Sequence, residues 1–289
     1  MKKVLRKIEK SIIKPCLSIS PVTQMIIKAA FIIAVVIMAW PHEGKGEESA
    51  VQDPCDNVFK QIEEHAFLPE KFSVISKSPV DNLCEVILEA NKKYLTLYVS
   101  EKYVLVGDIF KNRRALTRRA IDKIEGRVIL ENREQLEECV IVSYTPVERN
   151  LNRSIYMISD PDCHFCHLAN DEIVYISERY GFNIKVILYP LGDENKSIEV
   201  ACRQMTFDEY TSQEFAEEEV QEEFLCETGT QLIEKSKSVI KKIGINAVPT
   251  FIFADTGQKV AGADMKKLES EIIVILAAIE RQIAHNAAN

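Results

Sequence analysis

Hydrophobic and polar positions in the second half of the chain change from strand-like to helix-like spacing around a pair of cysteines. An apolar run over residues 155–158 predicts a buried strand, and the sequence Asp160-Pro161-Asp162 ends it. From Cys166 onward, apolar residues recur at near-helical spacing as far as Gly181, which predicts a helix that ends at this glycine. The segment Cys163-His164-Phe165-Cys166 therefore lies on a turn from a strand into a helix.

The remaining pattern of this half alternates strands and helices. A proline at the head of a strand is compatible with a cis peptide bond, which we expect at Val248-Pro249. An acidic run over residues 208–223 is predicted to be a solvated helical face. The other predicted elements are a strand over residues 183–189, a helix over 231–243 closed by Gly244, a strand ending at residue 253, a hairpin strand over 258–261 and a last helix capped by Asp264.

Residues 52–117 have the pattern of a small α+β unit. A short helix is predicted near residues 58–67, and strands are predicted within residues 84–106. The unit contains neither an acid/base cluster nor a glycine-rich phosphate loop, so it is predicted to assemble or bind rather than to catalyse. Residues 118–150 are charged and helix-rich with a thin apolar stripe, which indicates a linker helix and hinge between two domains.

The start of the chain has the charge pattern of an export segment. Residues 1–24 carry six lysines and arginines against one glutamate, and residues 25–40 are apolar apart from Lys28. The positive-inside rule predicts that the basic segment stays in the cytoplasm and that everything after Trp40 is exported to the periplasm. The apolar stretch fits either a membrane anchor in the inner membrane or the hydrophobic region of a cleaved signal peptide.

Composition limits the class of protein. The length of 289 residues leaves room for two modest domains, and the net charge of −8 argues against nucleic-acid binding, which needs a basic face. Eight cysteines are unusual for a cytosolic enzyme and indicate an oxidising compartment. Of the surplus cysteines, Cys55 and Cys84 are predicted to pair, which leaves Cys139 as an odd thiol.

The cysteine pair allows three kinds of chemistry. With His167 the motif reads C-x-x-C-H, which is the attachment signature of a c-type haem, and it also resembles half of a zinc site. The strand before the motif does not fit the helical wrapping of a c-type haem, and no second ligand pair completes a zinc site. A dithiol that cycles with a disulfide fits best, because the free N–H groups and dipole at a helix start favour a thiolate. No metal and no cofactor are predicted.

The order of strand, Cys-x-x-Cys helix, strand, helices, Val-Pro strand, hairpin and helix looks like a thioredoxin fold. More narrowly, the chain resembles the DsbC/DsbG family of periplasmic protein disulfide isomerases, from about Asp53 to the C-terminus. The motifs that carry the resemblance are D-P-D-C-H-F-C-H-L and N-A-V-P-T-F. The resemblance implies an α/β protein with a thioredoxin-like catalytic domain over residues 151–289 and a cystatin-like dimerisation domain over 52–117.

The family resemblance also implies roles for individual residues. Cys163 would be the nucleophile and Cys166 the resolving cysteine, with Cys202 and Cys226 as a structural disulfide. The implied partners are exported client proteins with disulfides, a membrane thiol donor such as a DsbD-type reductase, and a second copy of the chain in a homodimer. His164, Val248 and Pro249 would bind substrate or support the active site, whereas Phe165 and His167 are predicted to be packing residues.

Two departures leave alternatives open. His164 and Phe165 replace the Gly-Tyr that is typical of the isomerases, and Val248 precedes the proline as in DsbA-type oxidases, where isomerases usually have Thr. The sequence therefore predicts a dimeric protein disulfide isomerase, with a DsbA-like dithiol oxidase as the first alternative. A redox-inactive chaperone or assembly module that holds clients with its N-terminal domain is the second.

Overall fold

The computed structural model describes residues 53–65, 68–91, 93–147, 150–215 and 219–287. The chain divides into two compact units, Met1–Asp56 and Asn57–Asn289. The predicted basic segment and the predicted anchor or signal segment, residues 1–24 and 25–40, lie outside the described residues. No helix in the described part of the chain is long and apolar enough to cross a membrane.

The N-terminal part of the second unit is an antiparallel sheet with a short helix. The two central strands are almost fully buried, because apolar side chains such as Val86, Leu88 and Leu97 point into the core. Tight turns with positive φ at Asp81 and Asn91 connect neighbouring strands in sequence order. The elements are helix α1 (Val58–His65) and strands β1 (Ser73–Val80), β2 (Leu83–Ala90), β3 (Lys93–Val99) and β4 (Val104–Val106), followed by a small ladder of β5 (Phe110–Lys111) and β6 (Arg114–Ala115).

A buried polar cluster joins this sheet to the next helix, α2 (Leu116–Glu131). The hydroxyl of Tyr98 on β3 donates to the Glu85 carboxylate at 2.7 Å and lies 2.6 Å from the hydroxyl of Thr117. Thr117 also accepts the backbone N–H of Ile109 at 2.9 Å. Because these groups are removed from water, each needs its partner, and the cluster fixes where the helix leaves the sheet.

The C-terminal part contains a second sheet of five strands in the order β11-β10-β8-β9-β7. β8 and β9 are parallel, and the other pairs are antiparallel. Side chains alternate between the faces: Ile155 and Met157 face one apolar core, and Tyr156 and Ile158 face another. The strands are β7 (Val142–Tyr144), β8 (Arg153–Ser159), β9 (Phe182–Leu188), β10 (Thr250–Phe253) and β11 (Lys259–Ala261).

Helices cover both faces of this sheet. The core on one face contains Ile173 of the helix His164–Tyr180 and Leu268 of the C-terminal helix, and the core on the other face contains Ile129 of α2 and Ile240. This is the α/β architecture of a thioredoxin-like domain, as predicted. The helices are α3 (Arg133–Glu137), α4 (His164–Tyr180), α5 (Asn195–Arg203), α6 (Phe207–Thr211), α7 (Glu227–Lys242) and α8 (Met265–Ala287), with a 3₁₀ turn over Glu222–Phe224.

The segment predicted as linker, residues 118–150, belongs in large part to the second sheet and its core. β7 pairs with β9, so the sheet begins well before the predicted boundary at residue 151. Ile129 and Leu136 are buried in the core that contains Tyr156. The apolar stripe of α2 is thin because part of its contact with this domain is made by a glycine, in addition to Ile129.

That glycine, Gly126, lies against Gly257 in the turn between β10 and β11. Gly257 has a φ of +67°, and a Cβ built on it would lie 2.8 Å from the carbonyl carbon of Gly126 and closer still to its oxygen. Ion pairs to residues flanking the turn, from Arg153 to Asp255 at 2.6 Å and from Lys259 to Glu125 at 3.3 Å, accompany this contact. The C-terminal half of α2 is therefore docked on the thioredoxin-like domain.

We expect Gly257→Ala to destabilise the protein much more than Gly244→Ala. Gly244 has a similar φ of +75°, but a Cβ there meets nothing within 4 Å. Both changes place alanine in the left-handed region, at about 1–2 kcal/mol, and only Gly257→Ala adds a steric clash of about 1–3 kcal/mol. Denaturant unfolding of the two variants measures the difference, and equal destabilisation would contradict the close packing of α2 on the turn.

Candidate active site

The cysteine pair lies where β8 passes into α4. Cys163 is the N-cap residue of α4, and its own N–H donates to the Asp160 carbonyl at 3.0 Å. The N–H groups of Cys166 and His167 donate to the Cys163 carbonyl at 2.9 and 3.2 Å and close the first helical turn. The sulfur of Cys163 thus lies at a helix N-terminus, where the dipole and free N–H groups stabilise negative charge.

The two thiols differ in exposure, and the buried one has a raised pKa. Both are free; Cys163 is half-buried and Cys166 has no exposed surface. Burial and the hydrogen bond with Cys163 raise the pKa of Cys166 to about 12, although hydrogen bonds from the Asp160 backbone and the Ser159 hydroxyl act in the opposite direction. Cys163 is therefore the thiol that an incoming disulfide can reach, and Cys166 lies protected behind it.

The Val248-Pro249 loop closes over the exposed sulfur. The peptide bond between the two residues is cis, and the Cys163 thiol lies 3.8 Å from the Val248 carbonyl oxygen. The hydroxyl of Thr250 donates to the Ala247 carbonyl at 2.7 Å, which holds the loop at the start of β10. Val248 and Pro249, predicted as active-site support 85 residues after the cysteine, are thus placed beside it.

Asp160 is a residue of this site that the sequence pattern did not identify. Its side chain is only 4% exposed, and its two oxygens accept the N–H of Asp162 at 3.0 Å and of Leu191 at 2.9 Å. The carboxylate therefore ties the turn before Cys163 to the loop after β9. From the sequence this aspartate is predicted only to end the strand, and the Asp160-Pro161-Asp162 spacing is the one local signal for a further role.

The other residues of the motif have different surroundings. His164 is exposed, and its ring centroid lies 5.8 Å from that of Phe165. Phe165 is 61% exposed, so its predicted packing role is wrong: the first helical turn projects it into solvent. His167 has the predicted packing role, because a ring nitrogen bonds the Pro161 carbonyl at 2.6 Å and the ring faces Phe215.

The remaining cysteines fall into bonded and free groups. Cys202 and Cys226 form a disulfide between α5 and the N-cap of α7. Cys55 and Cys84 are each disulfide-bonded, and Cys139 is a free thiol with no exposed surface. Burial raises the pKa of Cys139, which makes it inert at neutral pH. In the part of the chain that the structure describes, no group of three or more His, Cys, Asp or Glu side chains converges as a metal site.

A half-buried cysteine at a helix start, a buried second cysteine and a cis-proline loop beside the first lie together in a domain with a thioredoxin-like fold. In agreement, residues 145–269 match the family model of the thioredoxin-like domain. No curated protein sequence matches the chain.

Parts of several solved structures are similar to this chain. A linker-deletion mutant of ScsC from Proteus mirabilis is 14% identical over 56% of this chain and 87% of its own, with a TM-score of 0.43. The thiol-disulfide exchange protein alpha-DsbA2 from Wolbachia pipientis is 17% identical over 54% of this chain and 98% of its own, with a TM-score of 0.42. DsbG from Helicobacter pylori is 15% identical over 63% of this chain and 94% of its own, with a TM-score of 0.34.

Proposed function

We propose that this protein is a dimeric protein disulfide isomerase of the periplasm, which reshuffles wrong disulfides in exported proteins. The observation that supports the chemistry is the arrangement of the dithiol: Cys163 half-exposed at the start of α4, Cys166 buried behind it, and the Val248 carbonyl 3.8 Å from the Cys163 sulfur. The exposed thiolate attacks a client, and the buried thiol is held back for the following step.

In the first step the Cys163 thiolate attacks one sulfur of a client disulfide. A bond forms between Cys163 and that sulfur, the client disulfide breaks, and the second client sulfur leaves as a thiolate. In isomerisation another client thiolate then attacks the mixed disulfide and releases Cys163 unchanged. If no client thiol is placed to attack, Cys166 displaces the client, and the enzyme becomes oxidised while the client is reduced.

Clients are proposed to dock in extended form beside Cys163. The Val248 carbonyl offers a backbone acceptor next to the sulfur, as peptide-binding loops do for an added strand. Three apolar side chains near the motif are exposed, namely Phe165 at 61%, Leu168 at 51% and Leu191 at 59%. They would contact apolar residues that a misfolded client leaves uncovered, and His164 would lie at the edge of this surface.

We favour an isomerase over an oxidase because the N-terminal sheet has an exposed apolar surface at which two copies of the chain could pair. In the described part of the chain its outer strand β4 pairs with β3 alone, and Leu105, Val106 and Phe110 on and after this strand are 48%, 62% and 68% exposed. A free edge with exposed apolar side chains is a surface that proteins cover by pairing. A second copy of the chain, seated here, would give the client a cleft between two thioredoxin-like domains.

The proposed isomerase requires an oxidising compartment and a source of electrons that keeps Cys163 reduced. Disulfides persist in oxidising compartments, and the described residues include the Cys202–Cys226 disulfide besides the half-cystines at 55 and 84. An isomerase must keep Cys163 reduced where the surroundings oxidise it, so it needs a membrane thiol donor such as a DsbD-type reductase. Residues 25–40 would export the protein or hold it at the inner membrane.

The dimer test uses charges placed on the exposed apolar residues. We expect the double variant Val106→Asp, Phe110→Asp to sediment as a monomer, because buried carboxylates would oppose pairing. It should keep simple thiol-disulfide exchange at Cys163 and lose most of its ability to reshuffle a scrambled client. Val274→Asp is the matched control, since Val274 is an equally exposed apolar residue, at 59%, on helix α8 of the C-terminal part.

Two results would contradict the isomerase. One is a wild-type protein that sediments as a monomer, and the other is a monomeric variant that reshuffles as well as wild type; either would make the DsbA-like oxidase the better proposal. A truncated protein beginning near residue 149 is a poor substitute for the charge variants. It would lack β7, Ile129 and Leu136, which belong to the second sheet and its core.

A further inference from the structure

An ion pair joins the residue before Cys163 to the start of α5. The ammonium of Lys196 lies 2.6 Å from a carboxylate oxygen of Asp162, and the two side chains are 17% and 44% exposed. Asp162 is the neighbour of Cys163 in the chain. Covalent geometry therefore keeps the Asp162 carboxylate within about 10 Å of the Cys163 sulfur, where its charge can act on a molecule that reacts with this sulfur.

Two hydrogen bonds already hold the turn before the cysteine motif against the segment after β9. The Ser159 carbonyl accepts the N–H of Tyr189 at 2.8 Å. The Asp160 carboxylate accepts the N–H of Leu191 at 2.9 Å. The ion pair joins the same two segments a third time, so what Lys196 adds is chiefly a positive charge.

Lys196 occupies an unfavourable position for a cation. It is the second residue of α5 (Asn195–Arg203), where the helix dipole and the free N–H groups favour negative charge. Its side chain is also largely buried, although lysines usually keep their charge in water. The Asp162 carboxylate offsets both effects, because it lies against the ammonium. The pairing with Asp162, rather than the stability of α5, therefore explains a lysine at this position.

The surroundings of Lys196 are acidic. The turn over residues 160–162 and the segment over 189–196 contain one ammonium, that of Lys196, and the four carboxylates of Asp160, Asp162, Asp193 and Glu194. The Glu194 carboxylate pairs with Lys237 on α7 at 2.7 Å. Without Lys196, a negative charge beside the nucleophile would lose its counter-ion, and acidic segments of a client would be repelled from the site.

We propose that Lys196 is a specificity-determining residue, whose ammonium cancels the charge of Asp162 and so admits client disulfides that are flanked by acidic residues. The inference rests on the proposed function, since it concerns the class of client that Cys163 attacks. The reaction step is the same: the Cys163 thiolate bonds to one client sulfur, the client disulfide breaks, and the other client sulfur leaves as a thiolate. With the ion pair in place, neither acidic nor basic residues of the client are repelled.

The test compares two small disulfides of opposite charge. One is an aromatic disulfide that carries two carboxylates and releases a coloured thiolate, and the other is cystamine, an aliphatic disulfide that carries two ammonium groups. Every protein carries Cys16→Ala, Cys139→Ala and Cys166→Ser, so that mass spectrometry after acid quenching follows mixed-disulfide formation at Cys163. Each rate is divided by that of this parent protein with the same probe, which removes the intrinsic reactivity of the probe.

We expect opposite effects from two single substitutions. Lys196→Met keeps the apolar stem and leaves Asp162 negative, so at low salt it should slow attack on the anionic probe about threefold without slowing attack on cystamine. Asp162→Asn leaves Lys196 positive and should slow attack on cystamine instead. The double variant should restore the ratio of the two rates, because both charges are gone. Salt at about 1 M should suppress the effects of both single substitutions.

Lys235→Met is the matched control. It removes a lysine from an ion pair of similar length, 2.7 Å to Glu138, and neither residue adjoins the cysteine motif in the sequence. This variant should leave the ratio of the two rates unchanged.

The outcomes distinguish this inference from the proposed function. Equal slowing of both probes by Lys196→Met and Asp162→Asn would show that the ion pair acts by holding the turn, and would overturn the inference while the function stands. An unchanged ratio of the two rates in both variants would overturn it as well. A parent protein that reacts with neither probe would overturn the function itself.

Discussion

Cys166→Ser should accumulate mixed disulfides with exported client proteins, and Cys163→Ser should accumulate none. In Cys166→Ser the half-exposed Cys163 still attacks, but no second thiol remains to release the client. In Cys163→Ser the remaining thiol is Cys166, which has no exposed surface and whose pKa burial raises, so it is both inaccessible and mostly protonated.

The measurement is non-reducing electrophoresis of the variants isolated from cells under acid quenching, with bands identified after reduction. The matched control is Cys139→Ala, which removes a buried free thiol outside the site and should trap nothing while keeping both active thiols. Equal trapping by Cys163→Ser and Cys166→Ser would contradict the assignment of the nucleophile.

A variant with both Cys163 and Cys166 replaced by serine tests whether the protein acts as a redox-inactive chaperone instead of through its dithiol. If the chain acts through its dithiol, this variant loses reshuffling of a scrambled client while it keeps its fold and assembly. Full protection of clients by the variant, at the level of wild type, would favour the redox-inactive chaperone. The hydrogen bonds that hold Cys163 and Cys166 in the first turn of α4 are made by their backbone groups, which serine keeps, so the variant should remain folded.

The sequence predicts the reactive turn well because its determinants are local. The apolar run of β8, the break at Asp160 and the helical spacing up to Gly181 all lie within a short segment, and the structure has each of them. Gly181 adopts the left-handed conformation with a φ of +76° that a helix C-terminus favours. The same holds for Gly244, with a φ of +75°, after α7.

What the sequence did not predict depends on contacts between distant segments. Strand β1 was missed because its residues are mostly exposed and include Pro79, a composition that an outer strand tolerates. The docking of α2 depends on Gly126 and Gly257, which carry no hydrophobic signal. The ion pair of Asp162 and Lys196 joins residues 34 positions apart, and nothing local to either residue signals the contact.

Loss of the Cys202–Cys226 disulfide should destabilise the protein by about 3 kcal/mol and leave Cys163 reactive. The bond closes a loop of 24 residues, and a cross-link of this span restricts the unfolded chain by about that amount. The loop includes Tyr210 and the acidic segment, so the main effect should be on unfolding of this region. The double variant Cys202→Ala, Cys226→Ala, compared with wild type by denaturant unfolding, measures the change.

A substitution at Gly229 provides a second test of the Cys202–Cys226 disulfide. A Cβ at Gly229 would clash with the Cys202 sulfur and lie 3.1 Å from the Ile198 carbonyl oxygen. Gly229→Ala should therefore destabilise the disulfide-bonded protein, by about 1–3 kcal/mol from overpacking. In the double variant the sulfur is gone, and alanine is a better helix former than glycine by about 1 kcal/mol, so the same change should be close to neutral or stabilising.

The expected difference between the two backgrounds in the effect of Gly229→Ala depends on the sulfur of Cys202 lying against α7. A cross-link elsewhere in the domain would not produce it. If Gly229→Ala cost the same free energy of unfolding in both backgrounds, the packing of the disulfide against the helix would be refuted. Free thiols at Cys202 and Cys226 in protein isolated from cells under acid quenching would refute the bond itself. The rate at which Cys163 attacks the aromatic disulfide serves as the internal control, because a structural disulfide should not change it.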